Sequence, residues 1–416
     1  MTDRHRKSFE KTMYLLKAGI VLLSLLVGFL IYQLIRDEKD MAFDLVTRYE
    51  SKNVDIYIKK SQMEQGRQEV TDIENAGERF NTEKEEGMKK DVKIVRREND
   101  IVSMKNALYT YEQMMGDLDL LERRYPNRIS IAEAGVSLDG RKIMEVILGN
   151  QRSPKHIMIQ ASIHGREYMN TLLAMRQLED ILKNFENGSY HGASLKGLFD
   201  NVCFHILPMA NPDGVTISQR GPEGIRDSTL REQVRNCYRY DLENGEAGSS
   251  LEEFWRRWKA NARGVDLNRN FDSGWEEYQS VTYPSSDHYK GELPESEPEV
   301  QAILRLVDEY PIVCTISYHS SGEVVYWDYG SSGNILEADR ELADLVSTIT
   351  GYSKESSVQS AQDAAGCSDY LVLERGIPSV TIENGSGECP LSIEEFDSIW
   401  NSNYQLWPAL AEQYGG

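Results

Sequence analysis

The chain has 416 residues, of which 40% are hydrophobic, and this is long enough for one large globular domain with additional segments. The formal net charge of −21 excludes nucleic acid as the main partner, because a phosphate backbone requires a basic binding face. The five cysteines form neither a CxxC pair nor a dense cluster, so they predict no cysteine zinc knuckle and no disulfide-stapled scaffold. The sequence leaves undecided whether Cys367 and Cys389 form a disulfide.

The first predicted element is an uncharged apolar run at residues 18–35, AGIVLLSLLVGFLIYQLI. Its length is at the lower limit for a helix that crosses a hydrocarbon core of about 30 Å. Basic residues precede the run and RDEKD follows it, so the positive-inside rule places residues 1–17 in the cytoplasm. A cleaved signal peptide is the alternative, but IYQLIRDEKDMAF offers no small-residue cleavage site. We therefore expect a single-pass plasma-membrane protein whose remaining chain is extracytoplasmic.

Residues 36–103 form a charged and polar segment centred on EKEEGMKKDVKIVRREND. Short amphipathic pieces occur in it, but no heptad pattern persists long enough to predict a coiled coil. We interpret the segment as a solvated stalk that holds the following domain away from the membrane. A propeptide cleaved near Arg96-Arg97 is the sharper alternative, although nothing in the sequence requires it.

A globular pattern fills residues 104–416. Continuous apolar runs predict buried strands at HIMIQASI, VCFHILPMA, IVCTISY and IPSVTIE. Helical apolar spacing predicts helices at ALYTYEQMMGDLDLLERRYP, TLLAMRQLEDILKNF, EPEVQAILRLVDEY and ILEADRELADLVSTI. Strands that alternate with helices predict an α/β domain whose sheet is covered by helices on both faces.

Three of these strands run into residues that can bind metal or carry a proton. HIMIQASI leads to His164 and Glu167, and IVCTISY leads to His319. IPSVTI leads to Glu383. Functional groups of such sheets lie beyond the carboxyl ends of the strands. Two imidazoles and one carboxylate would leave a fourth position for water, which is the ligand set of a catalytic zinc site.

The combination of these residues carries more weight than any one of them. With 67 acidic residues in the chain, an acid three positions after a histidine is a weak signal by itself. Only His164 of the seven histidines has one. His156 and His205 fall within apolar strands, which is typical of core or edge residues. His319 alone would be interpreted as a structural residue at a strand end.

From about residue 104 to its carboxyl terminus the chain resembles the zinc carboxypeptidases related to pancreatic carboxypeptidase A and bacterial carboxypeptidase T. The motifs that carry the resemblance occur in the family's order: YTYEQMMGDL, GVSLDGRKI, SIHGREYMN, ANPDGV, RGVDLNRNFDSGW, HYKGELPESEPEV, SYHSSGEVVYW and GIPSVTIENG. The resemblance implies a mixed central sheet and one zinc ion. It also implies hydrolysis of a peptide or related amide bond by zinc-activated water.

The resemblance also implies roles for single residues. His164, Glu167 and His319 match the family's zinc ligands. Glu383 matches the glutamate that takes a proton from the attacking water and returns it to the leaving amine, as a carboxylate within hydrogen-bond reach can do.

Three further positions match residues that bind substrate. Asn268 and Arg269, in DLNRNF, match the pair that grips a substrate carboxylate, which suits an arginine because its fork binds carboxylates bidentately. Arg166 matches a basic position beside the glutamate ligand. For arginines in general a surface ion pair is the commoner role.

The chain departs from the family pattern at the group that stabilises the oxyanion. In the family this arginine follows a tryptophan shortly before the Asn-Arg pair. Here the segment reads FWRRWKANARGVDLNRNF, in which Arg256, Arg257 and Arg263 are candidates, and we choose Arg263. Counting back from Glu383 without gaps, the family's substrate-capping tyrosine falls at Ala361, so the cap of the pancreatic enzymes is missing.

The same count puts Ser368 at the floor of the pocket that selects the residue after the cleaved bond. Pancreatic-type enzymes have an apolar residue or an aspartate there, and a small polar serine selects neither class of side chain. The missing tyrosine, Ser368 and WKANARGVDLNRNF are more similar to the bacterial branch that cleaves γ-D-glutamyl–diamino acid bonds in cell-wall peptides. We therefore expect a muropeptide substrate for an anchored enzyme that faces the wall.

The sequence also allows functions other than muropeptide hydrolysis. Within enzymes, the alternative is a general metallocarboxypeptidase that removes carboxyl-terminal residues from peptides. From another class, a catalytically silent wall-binding protein on a peptidase fold would lack a ligand or the base, whereas all four positions are filled here. The complete NPDG and DLNRNF blocks favour a peptidase over aspartoacylase-like amidohydrolases. The sequence does not fix the oligomeric state.

Overall fold

The computed structural model describes residues 100–103, 108–248, 250–360 and 362–416. The predicted cytoplasmic tail, the anchor at 18–35 and most of the stalk lie outside these residues. Among the helices of the described ranges, none has both the length and the hydropathy needed to cross a bilayer. The backbone N–H groups of Ile101 and Val102 donate to the two carboxylate oxygens of Glu179 at 2.7 and 2.9 Å. These two residues, which the sequence analysis gave to the stalk, therefore pack with the globular domain.

A mixed sheet forms the centre of the described fold. In spatial order its eight strands are β1 (Ile129–Val136), β2 (Lys142–Gly149), β6 (Cys203–Leu207), β3 (His156–Ala161), β7 (Ile312–His319), β10 (Ser379–Glu383), β8 (Val324–Trp327) and β9 (Ser353–Ser356). Strands β4 (Ser189–Tyr190) and β5 (Ala193–Ser194) form a separate small hairpin. β3 runs parallel to β6 and β7, and β7 runs parallel to β10. The carboxyl ends of these four strands therefore lie at one edge of the sheet.

Helices pack against the sheet. In chain order they are α1 (Tyr111–Arg124), α2 (Met169–Asn184), α3 (Leu195–Phe199), α4 (Pro212–Arg220), α5 (Ser228–Glu243), α6 (Leu251–Arg256), α7 (Pro298–Glu309), α8 (Asn334–Thr350), α9 (Cys367–Leu373), α10 (Phe396–Asn403) and α11 (Leu406–Gly415). Short 3₁₀ turns occur at Gly165–Glu167, Gly221–Gly224, Leu267–Arg269 and Ile393–Glu395.

Strand β3 shows that both faces of the sheet are covered. Its side chains alternate between two apolar clusters, with Ile157 and Ile159 in the cluster that contains α2 and α11. Met158 lies in the other cluster, which contains the apolar side chains of α7. Successive side chains of a strand point to opposite faces, so helices bury the sheet from both sides. The predicted α/β architecture with a mixed, doubly covered sheet is confirmed.

Helix α1 illustrates how local sequence sets an element's bounds. The hydroxyl of Thr110 accepts from the backbone N–H of Gln113 at 3.2 Å, and the Gln113 side chain accepts from the Thr110 N–H at 2.9 Å. This reciprocal capping box satisfies two N–H groups that a helix start leaves unpaired. The helix ends at Arg124, shortly before Pro126, as its apolar spacing predicts.

A buried ion pair connects two of the family-like motifs, GVSLDGRKI and ANPDGV. Arg141 of GVSLDGRKI places its guanidinium 2.8 Å from Asp213 of ANPDGV and 2.6 Å from Asp139. Ser137 donates its hydroxyl to the same Asp213 carboxylate at 2.9 Å. The pair fixes the start of α4 against the β1–β2 turn. These motifs therefore build the support on which the site described below rests.

All five cysteines are free thiols in the structure. Cys367 is buried at the start of α9, and the Cys389 thiol donates to the carbonyl of Ser320 at 3.3 Å. The disulfide that the sequence left open between Cys367 and Cys389 is therefore not formed.

Glu299 on α7 leads to a prediction about stability and pH. It is 1% exposed, one carboxylate oxygen accepts from Asn261 Nδ2 at 3.2 Å, and the other has no hydrogen-bond partner. Burial, together with the nearby Asp213 and Glu297 carboxylates, raises the pKa of Glu299 from 4.5 to about 8. The folded chain therefore keeps a proton that the unfolded chain loses, and stability falls as the pH rises from 4.5 towards 8.

The substitution Glu299→Gln removes this loss while keeping the size of the side chain. We expect it to stabilise the fold by about 1–2 kcal/mol at pH 8 and by less at pH 5. Thermal unfolding of both proteins at the two pH values measures the difference. An equal change at pH 5 and pH 8, or a lower melting temperature for the variant at pH 8, contradicts the prediction.

Candidate active site

His164, Glu167 and His319 come together at the carboxyl edge of the sheet. His164 follows β3, Glu167 ends the 3₁₀ turn Gly165–Glu167, and His319 is the last residue of β7. All three are buried, and their ligand atoms lie within 4.8 Å of one another. The parallel β3–β7 pairing thus brings together side chains that are far apart in the sequence.

The donor atoms of this group converge on one point. His164 Nδ1 lies 2.8 Å from Glu167 Oε1, and His319 Nδ1 lies 3.1 Å from Glu167 Oε2. The two Nδ1 atoms lie 3.1 Å from each other. Imidazole nitrogen and carboxylate oxygen are zinc's usual ligands, each bound at about 2.0–2.2 Å. Donors this close to one another can share a single ion, so the residues present fit zinc.

The turn that carries Glu167 requires a glycine at position 165. A Cβ atom on Gly165 would lie 2.4 Å from the backbone carbonyl of Gly214 and 2.9 Å from the carbonyl oxygen of Trp258. The Gly165 N–H donates to the Lys259 carbonyl at 2.9 Å. The motifs SIHGREYMN and ANPDGV therefore meet backbone to backbone, and this contact sets the position of Glu167.

Asp266 connects the candidate metal ligands to a buried cation. One of its oxygens lies 3.3 Å from His164 Nε2, and the other lies 3.1 Å from Lys259 Nζ. A carboxylate behind a histidine ligand fixes the ring's orientation and makes it a better donor. Asp266 was not singled out in the sequence, although it stands two residues before Asn268 in DLNRNF.

Glu383 stands beside the ligand group. It ends β10 and pairs in register with His319 across the β10–β7 ladder. Burial raises the pKa of Glu383 to about 7, and the Glu167 carboxylate contributes to the rise against the lowering effect of His319. A carboxyl group with a pKa near neutrality can both accept and return a proton.

A cavity of about 510 Å³ opens over these side chains. Charged and polar groups dominate its lining, which consists of His164, Arg166, Glu167, Arg257, Lys259, Asn268, Arg269, His319, Ser320, Ser321, Tyr326, Tyr329, Ser357, Asp363, Asp369, Thr381, Glu383, Glu388 and Cys389. Of the predicted site residues, only Arg263 and Ser368 are not in the lining.

The structure corrects the prediction for Arg263. Its guanidinium lies 2.9 Å from Glu297 and lines a separate cavity with Tyr240 and Tyr289. The buried Glu297 carboxylate holds it there, away from the ligands, so Arg263 cannot stabilise an oxyanion at this site.

Lys259 is the cation that sequence reasoning missed. Its Nζ lies 3.1 Å from Asp266 and 3.0 Å from Asp287, in the wall of the ligand cavity. Burial alone would lower the pKa of Lys259, but these two carboxylates raise it, so the ammonium keeps its charge. An ammonium has three donors, and one of them is left for a substrate oxygen. Lys259 directly follows Trp258, but the family resemblance points to an arginine in this role.

Arg269 lines the cavity beside a carboxylate and an aromatic ring. Its guanidinium lies 2.9 Å from the Asp363 carboxylate and 5.3 Å from the centre of the Tyr278 ring. Asn268 accepts from the Cys367 N–H at 2.9 Å through its amide oxygen, which ties the Asn-Arg pair to the start of α9. The structure thus brings the predicted carboxylate-binding pair into the same cavity as the metal ligands.

Two carboxylates accompany this arginine. Asp369 is 8% exposed, and its pKa is raised to about 6 by burial and then by the Asp363 charge.

Ser368, which was predicted to form the floor of the specificity pocket, is buried behind the residues that line the cavity. Its hydroxyl is 3.1 Å from Thr381 Oγ1, and Thr381 is the residue that faces the cavity. The prediction for Ser368 is therefore corrected, because its side chain points at Thr381 within the wall.

Arg166 and Arg257 line the cavity with Lys259. Arg166 Nη1 lies 3.4 Å from Asp287 and 3.3 Å from the Arg257 carbonyl oxygen. The Arg257 side chain is half exposed and lies 3.7 Å from the Glu253 carboxylate. Both guanidinium groups are therefore placed where a negatively charged part of a substrate can reach them.

Two tyrosines of the cavity wall lie earlier in the chain than Ala361, where the family's capping tyrosine is missing. Tyr326 belongs to β8, and Tyr329 donates its hydroxyl to the Tyr326 carbonyl at 3.1 Å. Ala361, the position of the missing tyrosine, lies outside the described residues.

Comparisons with known proteins agree with this geometry. The sequence model of the zinc carboxypeptidase family matches residues 114–405. Gamma-D-glutamyl-L-diamino acid endopeptidase 1 of Lysinibacillus sphaericus is 30% identical over 300 residues, which are 70% of this chain and 69% of that protein. Carboxypeptidase B of Astacus astacus is 27% identical over 275 residues, covering 63% of this chain and 80% of that protein.

A solved structure is similar in fold. The crystal structure of thrombin-activatable fibrinolysis inhibitor superimposes with a TM-score of 0.60 at 18% sequence identity. The match covers 76% of this chain and 77% of that chain. At this level of identity the likeness shows the fold alone.

Proposed function

Because this chain belongs to the zinc carboxypeptidase family, we propose that it hydrolyses γ-D-glutamyl–diamino acid bonds in cell-wall peptides. The family makes the chain a zinc metallopeptidase with one catalytic zinc ion, so peptide hydrolysis is its general activity. The narrower substrate is the proposal. It is supported by the similarity to a γ-D-glutamyl-L-diamino acid endopeptidase and by the distribution of charge in the cavity.

The observation that carries the proposal is the pairing of one arginine with two carboxylates in the cavity lining. Arg269 suits the free carboxylate of a terminal residue. Asp363 and Asp369, beside it, suit an ammonium group. A diamino acid offers both charges, whereas an apolar residue offers only the carboxylate. A lining this polar gives an apolar side chain little surface to bury.

Two further arginines of the cavity suit the residue before the cleaved bond. A γ-linked D-glutamyl residue keeps a free α-carboxylate, which two methylene groups and the α-carbon separate from the scissile carbonyl. Arg166 and Arg257 line the cavity, and Arg guanidinium binds carboxylates well. An ordinary α-linked peptide has no negative charge at this position.

In the proposed mechanism, His164, Glu167 and His319 would hold a zinc ion, which would act as a Lewis acid and lower the pKa of a water molecule towards 7. Glu383 accepts the proton of the attacking water and returns it to the leaving amine, which its near-neutral pKa allows. The Lys259 ammonium stabilises the negative charge that develops on the carbonyl oxygen.

The proposal is tested with the purified full chain in detergent. It is incubated with muropeptides that contain γ-D-glutamyl–diamino acid bonds and, separately, with ordinary peptides, with and without a chelator. Products are identified by mass spectrometry. We expect chelator-sensitive cleavage at the γ-D-glutamyl bond. Removal of carboxyl-terminal residues from ordinary peptides with muropeptides intact would support the general metallocarboxypeptidase instead.

Arg269 provides a sharper prediction for the same substrates. We expect Arg269→Met to lower kcat/KM about 10- to 100-fold, because hydrogen bonds to a charged group contribute about 1.5–3 kcal/mol. Blocking the substrate carboxylate as an amide should cost the wild-type enzyme a similar factor and the variant little more. The four rate constants form a double-mutant cycle. Additive losses would show that Arg269 and that carboxylate do not interact.

We also propose that residues 18–35 anchor the protein and that the catalytic domain faces the wall. The support is the uncharged apolar run with basic residues before it. Externally added protease should degrade the domain on cells stripped of their wall and should leave a cytoplasmic marker intact. Protection of the domain until the membrane is permeabilised would reverse the proposed topology.

A further inference from the structure

A second cluster of metal-binding side chains lies at the opposite end of the same strands. His156 is the first residue of β3 and pairs in register with Cys203, the first residue of β6. His205 lies two residues further along β6 and therefore on the same face as Cys203. The three side chains are buried, and their ligand atoms lie within 4.8 Å of one another.

Each of the two rings is oriented by an acceptor at its outer nitrogen. His205 Nδ1 lies 2.5 Å from Glu145 Oε1, a buried carboxylate of β2. His156 Nε2 lies 2.8 Å from the carbonyl oxygen of Ser153. A carboxylate or a backbone carbonyl at the remote nitrogen is the usual partner of a metal-bound histidine, because it fixes both the tautomer and the ring direction.

The inner nitrogens then point at each other. His156 Nδ1 and His205 Nε2 lie 2.8 Å apart. If both outer nitrogens donate to their acceptors, neutral rings leave a lone pair on each inner nitrogen, and two facing lone pairs repel. One cation must lie between them, which is either an extra proton or a metal ion. Tyr310 stacks on the His205 ring at 3.9 Å and limits access of water to the pair.

The candidate active site shows the same arrangement. There too, two imidazole nitrogens face each other at 3.1 Å, and a carboxylate, Asp266, stands behind one ring. A third donor completes each group, which is Glu167 in the active site and Cys203 in the second cluster. The third donor separates the two cations, because a shared proton needs only the two rings, whereas a metal ion uses all three converging donors.

We propose that His156, Cys203 and His205 bind a second zinc-class ion, separate from the catalytic one. Two imidazoles and a thiolate form a borderline-soft N₂S set, which selects zinc over magnesium or calcium. Binding releases the Cys203 thiol proton, and any proton shared by the two rings, to solvent. The ion would join β3 and β6 at the end of the sheet remote from the substrate, so its role is structural.

The test is the metal content of the full chain after loading with zinc and removal of the excess. Mass spectrometry of the metal should give about two ions per wild-type chain, and about one for Cys203→Ser and for His205→Gln. Both variants should keep their peptidase activity. The active-site variant His319→Ala should lose the other ion and keep the second one.

Cobalt provides a readout that does not depend on any variant. In the cobalt-loaded wild-type chain, Cys203 should give a sulfur-to-cobalt charge-transfer band. The catalytic ligand set contains no cysteine, so this band reports the second site alone. Cys203→Ser should abolish the band, whereas the matched control Cys314→Ser, a buried cysteine of β7, should retain it. One ion per wild-type chain without a sulfur band would overturn the proposal and leave a proton shared between the two histidines. If a variant fails to fold, the wild-type spectrum and stoichiometry still decide.

Discussion

Glu383→Gln is expected to lower kcat/KM about 10²- to 10⁴-fold while the zinc content stays at its wild-type value. Glutamine keeps the size and one hydrogen-bonding oxygen of the side chain but cannot take up the proton of the attacking water. General acid–base catalysis contributes a factor of this size. Glu383 ends β10 beside His319 and is not one of the three converging ligands, so the metal should remain bound.

The chain offers a matched control for this experiment. Glu388 lines the same cavity, and Glu388→Gln removes one carboxylate from it without touching the ligands or their register partners. We expect the control to keep kcat/KM within a few-fold of wild type. Steady-state kinetics on the γ-D-glutamyl substrate, with metal analysis of each sample, distinguishes the two. A Glu383→Gln enzyme that works at near wild-type rates would remove this residue from the mechanism.

The second large effect is expected at Lys259. Lys259→Met keeps the aliphatic stem and removes the ammonium that Asp266 and Asp287 hold in the cavity wall. We expect kcat to fall about 10²- to 10³-fold with little change in KM, as for loss of one oxyanion donor. The effect should lie in kcat because the charge on the carbonyl oxygen develops only in the transition state.

Two companion variants separate charge from position. Lys259→Arg keeps a cation at the site and should recover most of the activity. Arg263→Gln removes the charge that sequence analysis favoured and keeps a donor for Glu297, so it should leave kcat unchanged. Zinc analysis of Lys259→Met is also required, since Asp266 contacts His164 as well. A loss of activity that tracks a loss of zinc would show that Lys259 acts through the metal site only.

The residues at strand ends could be predicted from sequence because short-range patterns encode them. An apolar run marks each strand, and the residue that follows it is fixed within one or two positions. His164, Glu167, His319 and Glu383 were all found in this way, and the structure places them together. RISIAEAGVSLDGRKIMEVILGN also predicts two strands around a turn, and it forms the edge strand β1 and its neighbour β2, whereas β8 and β9 at the other edge were not predicted. Ser353–Ser356 is exposed along its whole length and shows no apolar alternation, so it joins the sheet only through its pairing with β8.

Side chains that meet from distant segments could not be predicted in the same way. Arg263 and Lys259 are four residues apart, and only the tertiary structure shows that one is held by Glu297 and the other by Asp266. The prediction of the oxyanion-stabilising cation was wrong in residue type, because an arginine was expected where the structure places a lysine. Ser368 was placed by counting along the chain, which gives its position in α9 but not the direction of its side chain.

The distance along the chain between the ligands has a consequence for how the enzyme matures. His164 and His319 are 155 residues apart, and they meet only because β3 and β7 pair. An unfolded or partly synthesised chain therefore offers no more than the His164–Glu167 pair, which binds an ion weakly. We therefore expect zinc to bind tightly only after β3 and β7 have paired. If the domain crosses the membrane before it folds, the ion that it carries is taken from the medium outside the cell.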